Sequence, residues 1–238
     1  MSELARILTV SLAAIVCLQF SLAGAQTTTT FPGVPISSKT LRVQDQAEKV
    51  YQRTDYERAF FIYRNELAPI GDKYGQYMVG FMYLAGKGVP EDRVVASAWY
   101  RLAAERGIKE FDKARDRLMV TLDDAQQARS DLLFIQLRKQ YGDLALLMKA
   151  VEADYELLEA RTGSRLSRDS SSLTIISPSR PGSATSGAEY YRQIHNRIQS
   201  RLEYIARHSN VEITDFNIEN VDLASIEAQL GEHLDTLD

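Results

Sequence analysis

The stretch YLAGKGVPEDRVVASAWYRLAAERG (residues 83–107) decides how this chain is read. It sets Gly86, Gly88 and Pro90 ahead of an alanine-rich run that holds Trp99, the single tryptophan of the chain, and stops at Gly107. "GKG" invites comparison with a phosphate-binding loop. Such a loop needs G-x-x-x-x-G-K-[ST] after a strand, whereas here a helical pattern precedes and Val89 follows the second glycine. Periodicity gives the better account. Setting DYERAFFIYRNELAPIG (55–71) under DRVVASAWYRLAAERG (92–107) aligns Asp55 with Asp92, Ala59 with Ala96, and Ile62-Tyr63 with Trp99-Tyr100, an offset of 37 residues. Ala68 and Gly71 then align with Ala104 and Gly107 at an offset of 36, a slip of one residue within the helix. Self-similarity at this period is the signature of stacked helical hairpins. The loop is therefore expected to be a structural joint that binds nothing itself.

Positions around the joint have physical reasons of their own. Gly80, inside the preceding helical pattern, costs about 1 kcal/mol against Ala, which makes sense if a neighbouring helix must pass close. Gly86 can end that helix in the left-handed conformation, and Gly88 can take a second strained turn angle. Val89 is expected to fill the apolar gap between the two helices, and Pro90 suits the turn. Asp92 caps the next helix and favours the positive end of its dipole. Ala96, Ala103 and Ala104 let helices approach, while Trp99 and Tyr100 fill the space between repeats.

Residues 75–107, GQYMVGFMYLAGKGVPEDRVVASAWYRLAAERG, resemble the Sel-one-like repeat, a relative of the tetratricopeptide repeat. That repeat runs small residue, Leu-Gly, Tyr, G-x-G-V, Asp, Ala, Trp-Tyr, Ala-Ala, Gly. This chain has Gly75, Val79-Gly80, Tyr83, Gly86-Lys87-Gly88-Val89, Asp92, Ala96, Trp99-Tyr100, Ala103-Ala104 and Gly107. Gly75 stands where alanine is usual, and Val79 where leucine is usual. The resemblance covers one full repeat (72–107) and a weaker one upstream (43–71). It implies an adaptor, since proteins of this kind hold other proteins in complexes, often at membranes or in the bacterial envelope. Some cysteine-rich members are associated with penicillin binding or hydrolysis and carry a disulfide in each repeat. This chain lacks those cysteines, so the resemblance carries no activity across.

The rest of the chain sets the frame. Its 238 residues are 45% hydrophobic and 25% charged with a net charge of −4, an ordinary globular composition. No basic run interleaved with aromatics occurs, so no nucleic-acid partner is expected. Arg6, the apolar run ILTVSLAAIVCLQFSL and the small residues of LAGAQ read as a signal peptide over 1–25. Ala23 and Ala25 occupy the −3 and −1 positions, with cleavage after Ala25 and a periplasmic or secreted product. The alternative is a retained anchor; the run is short and broken by Gln19, which favours cleavage and leaves no transmembrane helix. Cys17, the one cysteine, lies in that segment, and Val16 before it does not suit a lipoprotein site. The mature chain thus has no disulfide, Cys-ligated metal or Cys nucleophile.

Residues 26–40 (QTTTTFPGVPISSKT) read as a disordered spacer, and 41–163 as a continuous helical domain. Asp55 and Asp72 are placed to cap helices, and Thr121 with Asp124 suggests a capping box. The helices of 110–161 are expected to cap the array, because solenoid repeats cannot bury their faces alone. A Ser/Pro linker (164–187) then leads to a small, separately placed helical unit (188–238), within which VEITDF (211–216) alternates like a short strand. The fold class is therefore all-α: a short α-solenoid of hairpins with capping helices and a terminal unit.

No catalytic constellation stands out. His195, His208 and His233 match no metal spacing, and no cofactor is implied. Ser170 to Ser172 belong to a linker, with no G-x-S-x-G. One face is sharper. Tyr77, Met78, Phe81 and Met82 occupy the circumference of the first repeat helix left free by Gly75, Val79, Gly80 and Tyr83. A helix apolar all round is buried by flanking hairpins, or presents an adaptable concave face to a partner; burial of Tyr77 and Phe81 decides between these. The expected function is an exported, non-catalytic protein–protein adaptor with partners in the cell envelope. The alternative is an envelope enzyme or cell-wall or carbohydrate-binding protein for a β-lactam or peptidoglycan-related ligand. A third possibility has residues 188–238 dock the partner while the repeats only support them.

Overall fold

In a computed structural model of the chain, the residues described are 31–33, 37–162, 174–176, 184–216 and 220–237. The expected signal peptide (1–25) lies outside them. Helices dominate: α1 (Ser38–Gln52), α2 (Tyr56–Ile62), α3 (Lys73–Ala85), α4 (Arg93–Ala103), α5 (Lys109–Met119), α6 (Asp124–Tyr141), α7 (Asp143–Thr162), α8 (Gly187–His208) and α9 (Leu223–Leu234). A short antiparallel ribbon, β1 (Thr174–Ile176) with β2 (Ala184–Ser186), precedes α8. The all-α expectation holds, with that ribbon as its exception.

The internal repeat has a structural counterpart. The pairs α1–α2 and α3–α4 are helical hairpins, and their second helices begin and end alike. Asp55 accepts a hydrogen bond from the Arg58 amide and Asp92 from the Val94 and Val95 amides, each satisfying donors that the first helical turn leaves unpaired. Both second helices then tighten into a 3₁₀ turn, Ala68–Ile70 and Ala104–Arg106. Both stop at a left-handed glycine, Gly71 (φ 75°) and Gly107 (φ 65°). Between those shared ends, Tyr63–Leu67 is π-helical, and the Ala68 amide reaches back to the Tyr63 carbonyl. A π turn accommodates one extra residue without breaking the helix. It lies where the alignment slips from 37 to 36, so the imperfection in the repeat is an insertion absorbed as a wider turn.

That turn has a consequence across the hairpins. A Cβ on Gly75 would lie 2.6 Å from Cβ of Leu67, the last π-helical residue. The wide turn presses on α3 at this point, and alanine, usual there in the repeat that the sequence resembles, does not fit. Gly80 is constrained from the other side, since its Cβ would lie 2.7 Å from the Tyr100 ring on α4. The close approach anticipated for Gly80 is present.

The Gly86–Asp92 joint behaves as expected. Gly86 (φ 62°) ends α3, and the Lys87 amide bonds the Met82 carbonyl at 2.9 Å. Lys87 itself lies over the rings of Tyr51, Tyr56 and Phe81, 4.8–5.6 Å from their centroids, and donates to the Tyr51 hydroxyl at 2.7 Å. Burial, the largest single influence, would lower its pKa, but that hydrogen bond and the neighbouring Tyr51 and Tyr56 hydroxyls together outweigh it and hold the ammonium above its ordinary value. The joint is thereby tied to the first hairpin, by cation–π contact as well as by backbone.

Two apolar cores follow. The first joins α1 to α4 with Phe111 and Leu118 of α5 and Phe134 and Tyr141 of α6. As expected of capping helices, α5 and α6 pack on α4; Ser97 and Ser130 exchange a buried hydroxyl contact at 2.6 Å there. The second core departs from expectation. Ala145, Leu147, Met148 and Val151 of α7 pack with Ile194, Ile198, Leu202 and Ile205 of α8 and Ile226, Leu230 and Leu234 of α9. So α7 belongs to the C-terminal core rather than to the cap, and 188–238 is not a separately placed unit. The reason is the stripe of α8: its buried residues recur every three or four positions and need a facing helix. Asp154 of α7 reinforces the pairing with ion pairs to Arg197 and Arg201.

Smaller corrections concern the connections. The capping box opening α6 is Asp123 with Gln126 rather than Thr121 with Asp124; Thr121 instead turns its hydroxyl to the Leu118 carbonyl at 2.6 Å. VEITDF forms no strand: Val211 and Ile213 do turn to the second core while Glu212 and Thr214 are exposed, but among the described residues the stretch pairs with no other strand. Within the expected linker, β2 runs directly into α8, which Ser186 caps. The expected spacer over 26–40 is shorter, since α1 starts at Ser38 and Phe31 packs against the second core.

Gly88 and Gly86 make a matched test of the joint. Gly88 has φ 71°, and a Cβ there would lie 2.3 Å from the Tyr56 carbonyl oxygen; at Gly86 the nearest atom would be 3.5 Å away. Gly86→Ala is expected to cost about 1 kcal/mol, the price of a left-handed alanine. Gly88→Ala adds overpacking against backbone and is expected to cost about 3 kcal/mol or more. Urea unfolding midpoints measure both. Equal losses would mean that the joint does not press on the first hairpin.

Candidate functional site

The face nominated from sequence lies inside the molecule. Tyr77 and Phe81 are each 7% exposed, Met78 1% and Met82 0%. Tyr77 stacks on Tyr100 of α4 at 5.1 Å and on Phe111 of α5 at 5.0 Å, and Phe81 packs against Tyr51 of α1. Covered by the surrounding helices, these four residues are core and not a binding face. The structural positions of the motif keep their roles. Trp99, Tyr100, Ala96, Ala103 and Ala104 are buried, Tyr83 meets Phe60 edge-to-face, and Val89 packs against the first core.

A polar centre appears instead where the second hairpin meets α7. Lys73, one residue into α3, is buried with its ammonium fully engaged. It donates to Gln76 Oε1 and the Leu102 carbonyl at 3.1 Å and to Glu105 Oε2 at 2.6 Å, and lies 3.1 Å from Asp143 Oδ1. Arg106 grips Asp143 with two bonds of 2.7 and 2.8 Å and reaches the Gly71 carbonyl at 3.1 Å. Glu105 also accepts from the Asp143 amide at 3.1 Å, placing a carboxylate at the positive end of α7. Two cations and two carboxylates thus close a charged knot among α3, the end of α4 and the start of α7. Gln76 extends it by donating to the Ala68 and Tyr141 carbonyls.

The two carboxylates titrate in opposite directions. Burial pushes Glu105 up, aided by the Asp143 charge, and Lys73 only partly offsets this. Burial pushes Asp143 up too, but Lys73 and the two-bond grip of Arg106 outweigh it and hold the group below its ordinary value. These opposed shifts follow from partner number: Asp143 has two cations, and Glu105 has one.

Beside the knot opens a cleft of about 390 Å³, walled by α4 to α9 and lined among others by Arg101, Arg115, Arg138, Tyr204, His208 and His233. Its arginines already have partners. Arg101 pairs with Asp131, and Arg115 with Asp112 and Asp116. Arg138 donates to the His233 and Thr236 carbonyls at 2.9 and 2.5 Å and so fastens the end of α9. His208 stacks on Tyr204 and bonds its carbonyl through Nδ1. His195 makes the same bond to Tyr191 one helical turn back. Among the described residues no group of His, Cys, Asp or Glu is arranged to hold a metal ion. The cleft presents guanidinium groups and aromatic edges.

Sequence reading did not find Lys73, Glu105, Arg106 or Asp143. Each looks like an ordinary charge near a helix end, and the pairing spans up to 70 residues of chain. No family model matches the chain, and no curated protein or solved structure matches it.

Glu105 gives the knot a pH signature. Its folded pKa is raised above its ordinary 4.5, so its titration contributes stability that is fully present below about pH 4.5 and is lost as pH rises through the folded value. Asp143, held below 3.8, stays ionised over that range. The stability difference between the wild type and Glu105→Gln is therefore expected to move against the wild type as pH rises from about 4.5 through the raised folded value. Urea unfolding across that interval measures it; a constant difference would show that Glu105 is not raised.

Proposed function

We propose that the chain is an exported, non-catalytic binding protein: a short α-solenoid of Sel-one-like hairpins, capped by α5 and α6, that holds a protein partner in the cell envelope. One observation carries this reading. The two hairpins share caps, 3₁₀ ends and left-handed glycine stops residue for residue, with a single insertion absorbed in a π turn. Motif positions that the resemblance assigns to packing, Gly80, Trp99 and Tyr100 among them, sit at helix contacts. Repeats of this kind present surfaces assembled from successive helices, which suits them to hold other chains. Export rests on the sequence of residues 1–25. No described helix is long and apolar enough to cross a membrane.

With the Tyr77 face internal, the partner surface belongs on the outside of the array. The second hairpin is covered by α5 and α6, and among the described residues no helix plays that part for the first. Leu41, Phe61 and Ile70, each more than half exposed, all belong to that first hairpin. A repeat whose outer side lacks a cap is where a further chain stacks most readily.

A photo-crosslinking amino acid placed at Phe61 in the exported protein tests this, with Arg117 on the capping helix α5 as the comparison. A discrete polypeptide adduct at Phe61 and none at Arg117 is expected. Absence of an adduct at Phe61 overturns the reading, and saturable binding of a peptidoglycan fragment to the purified protein would then favour a cell-wall ligand.

A further inference from the structure

Phe31 and Pro32 make contacts with residues far away in sequence. The Phe31 ring sits 3.9 Å from the Arg106 guanidinium carbon and meets Tyr204 edge-to-face at 5.4 Å. The Pro32 carbonyl accepts from Arg201 Nε at 3.3 Å. The Phe31 ring also folds back over Gly33, where a Cβ would come within 2.1 Å of it. A short turn from the N-terminal segment is thus seated between the end of the second hairpin and α8.

The walls of this seat are fixed by contacts that do not involve the turn. Arg106 is held flat by Asp143 and the Gly71 carbonyl. Arg201 spends one nitrogen on Asp154, at 2.6 Å, and on the Ala150 carbonyl, at 2.9 Å, which leaves Nε directed at Pro32. Tyr204 is stacked on His208, with ring centroids 3.9 Å apart. Arg201 and Tyr204 stand three residues apart on α8 and so share a face. A site whose cation, hydrogen-bond donor and aromatic edge are held in place before its occupant arrives loses little entropy on binding.

We propose that Arg106, Arg201 and Tyr204 form a binding site for a short peptide of the form aromatic-Pro-Gly, occupied in this structure by the chain's own Phe31-Pro32-Gly33. Each element of the ligand has its reason. The aromatic ring takes the guanidinium face. The carbonyl of the next residue takes Arg201, and proline there brings no amide donor that would need a partner. Glycine is required third because the ring covers it. The site goes beyond the scaffold reading and does not depend on it: a trans peptide would compete with the tethered one whether or not the first hairpin holds a partner.

The probe is a fluorescein-labelled peptide of residues 27–35, TTTTFPGVP, titrated against the full chain by fluorescence anisotropy. Phe31→Ala vacates the site directly. Gly33→Val vacates it by a second route, because a side chain there collides with the folded-back ring, and it keeps the test usable should the first variant fold poorly. Both variants are expected to bind the peptide saturably and at least about tenfold more tightly than the wild type, whose tethered segment competes at high effective concentration. A probe with alanine in place of phenylalanine is expected not to bind, and adding Tyr204→Ala to Phe31→Ala is expected to abolish binding. Folded variants that do not bind the probe, equal binding to wild type and variants, or binding unaffected by Tyr204→Ala would each overturn the proposal.

Discussion

The joint between the two halves of the molecule depends on the ammonium of Lys73. It touches both hairpin helices and the helix that begins the C-terminal half: Gln76 on its own helix, Leu102 and Glu105 at the end of α4, and Asp143 at the start of α7. Buried ion pairs add little net stability, because desolvation consumes most of the attraction. Their leverage lies in what happens when one member is missing, since an uncompensated buried charge costs about 3–5 kcal/mol. Arg106, ordered by the same carboxylate, in turn supplies the face on which Phe31 rests. Hairpin, C-terminal core and N-terminal turn therefore meet at one charged cluster.

What the sequence made legible was local. Asp55, Asp72 and Asp92 as caps, Gly86 and Gly88 as turn residues and Gly107 as a stop all follow from rules acting over a few residues, and all hold. The repeat itself was visible for the same reason, as was its slip, although only the π turn at Tyr63–Leu67 explains it. The failures are of one kind: each required knowing which element lies opposite. Tyr77 and Phe81 read equally well as a core or as a partner surface until α1, α4 and α5 are seen to surround them. A mixed face on α7 does not reveal whether it turns to the cap or to α8. Val211, at the end of an alternating stretch, is taken by a core that the stretch itself does not specify.

The same limit hid the candidate sites. Arg106 stands before a helix-ending glycine, where a basic residue is expected merely to complement the helix dipole. Phe31 stands in a Thr- and Pro-rich stretch with the composition of a spacer. Neither has a local signal, because a cation–π contact between residues 75 positions apart leaves no periodicity in the chain. A single aromatic within a polar spacer is nonetheless costly to leave in water, and that is the one hint such a segment can carry.

A repeat creates an ambiguity that packing alone does not resolve. The ends of α2 and α4 are built alike, 3₁₀ turn and left-handed glycine included, so the C-terminal half meets two similar places to dock. The aligned residues distinguish them. Where the second hairpin has Glu105 and Arg106, the first has Pro69 and Ile70, and those cannot complete the charges of Lys73 and Asp143. Docking at the first end would leave Asp143 buried without Arg106 and Glu105 without the α7 amide, a loss that apolar contact at Ile70 does not recover. Ile70 accordingly remains 54% exposed. The charged knot selects one of two equivalent ends, and the same choice leaves the first hairpin open to the outside.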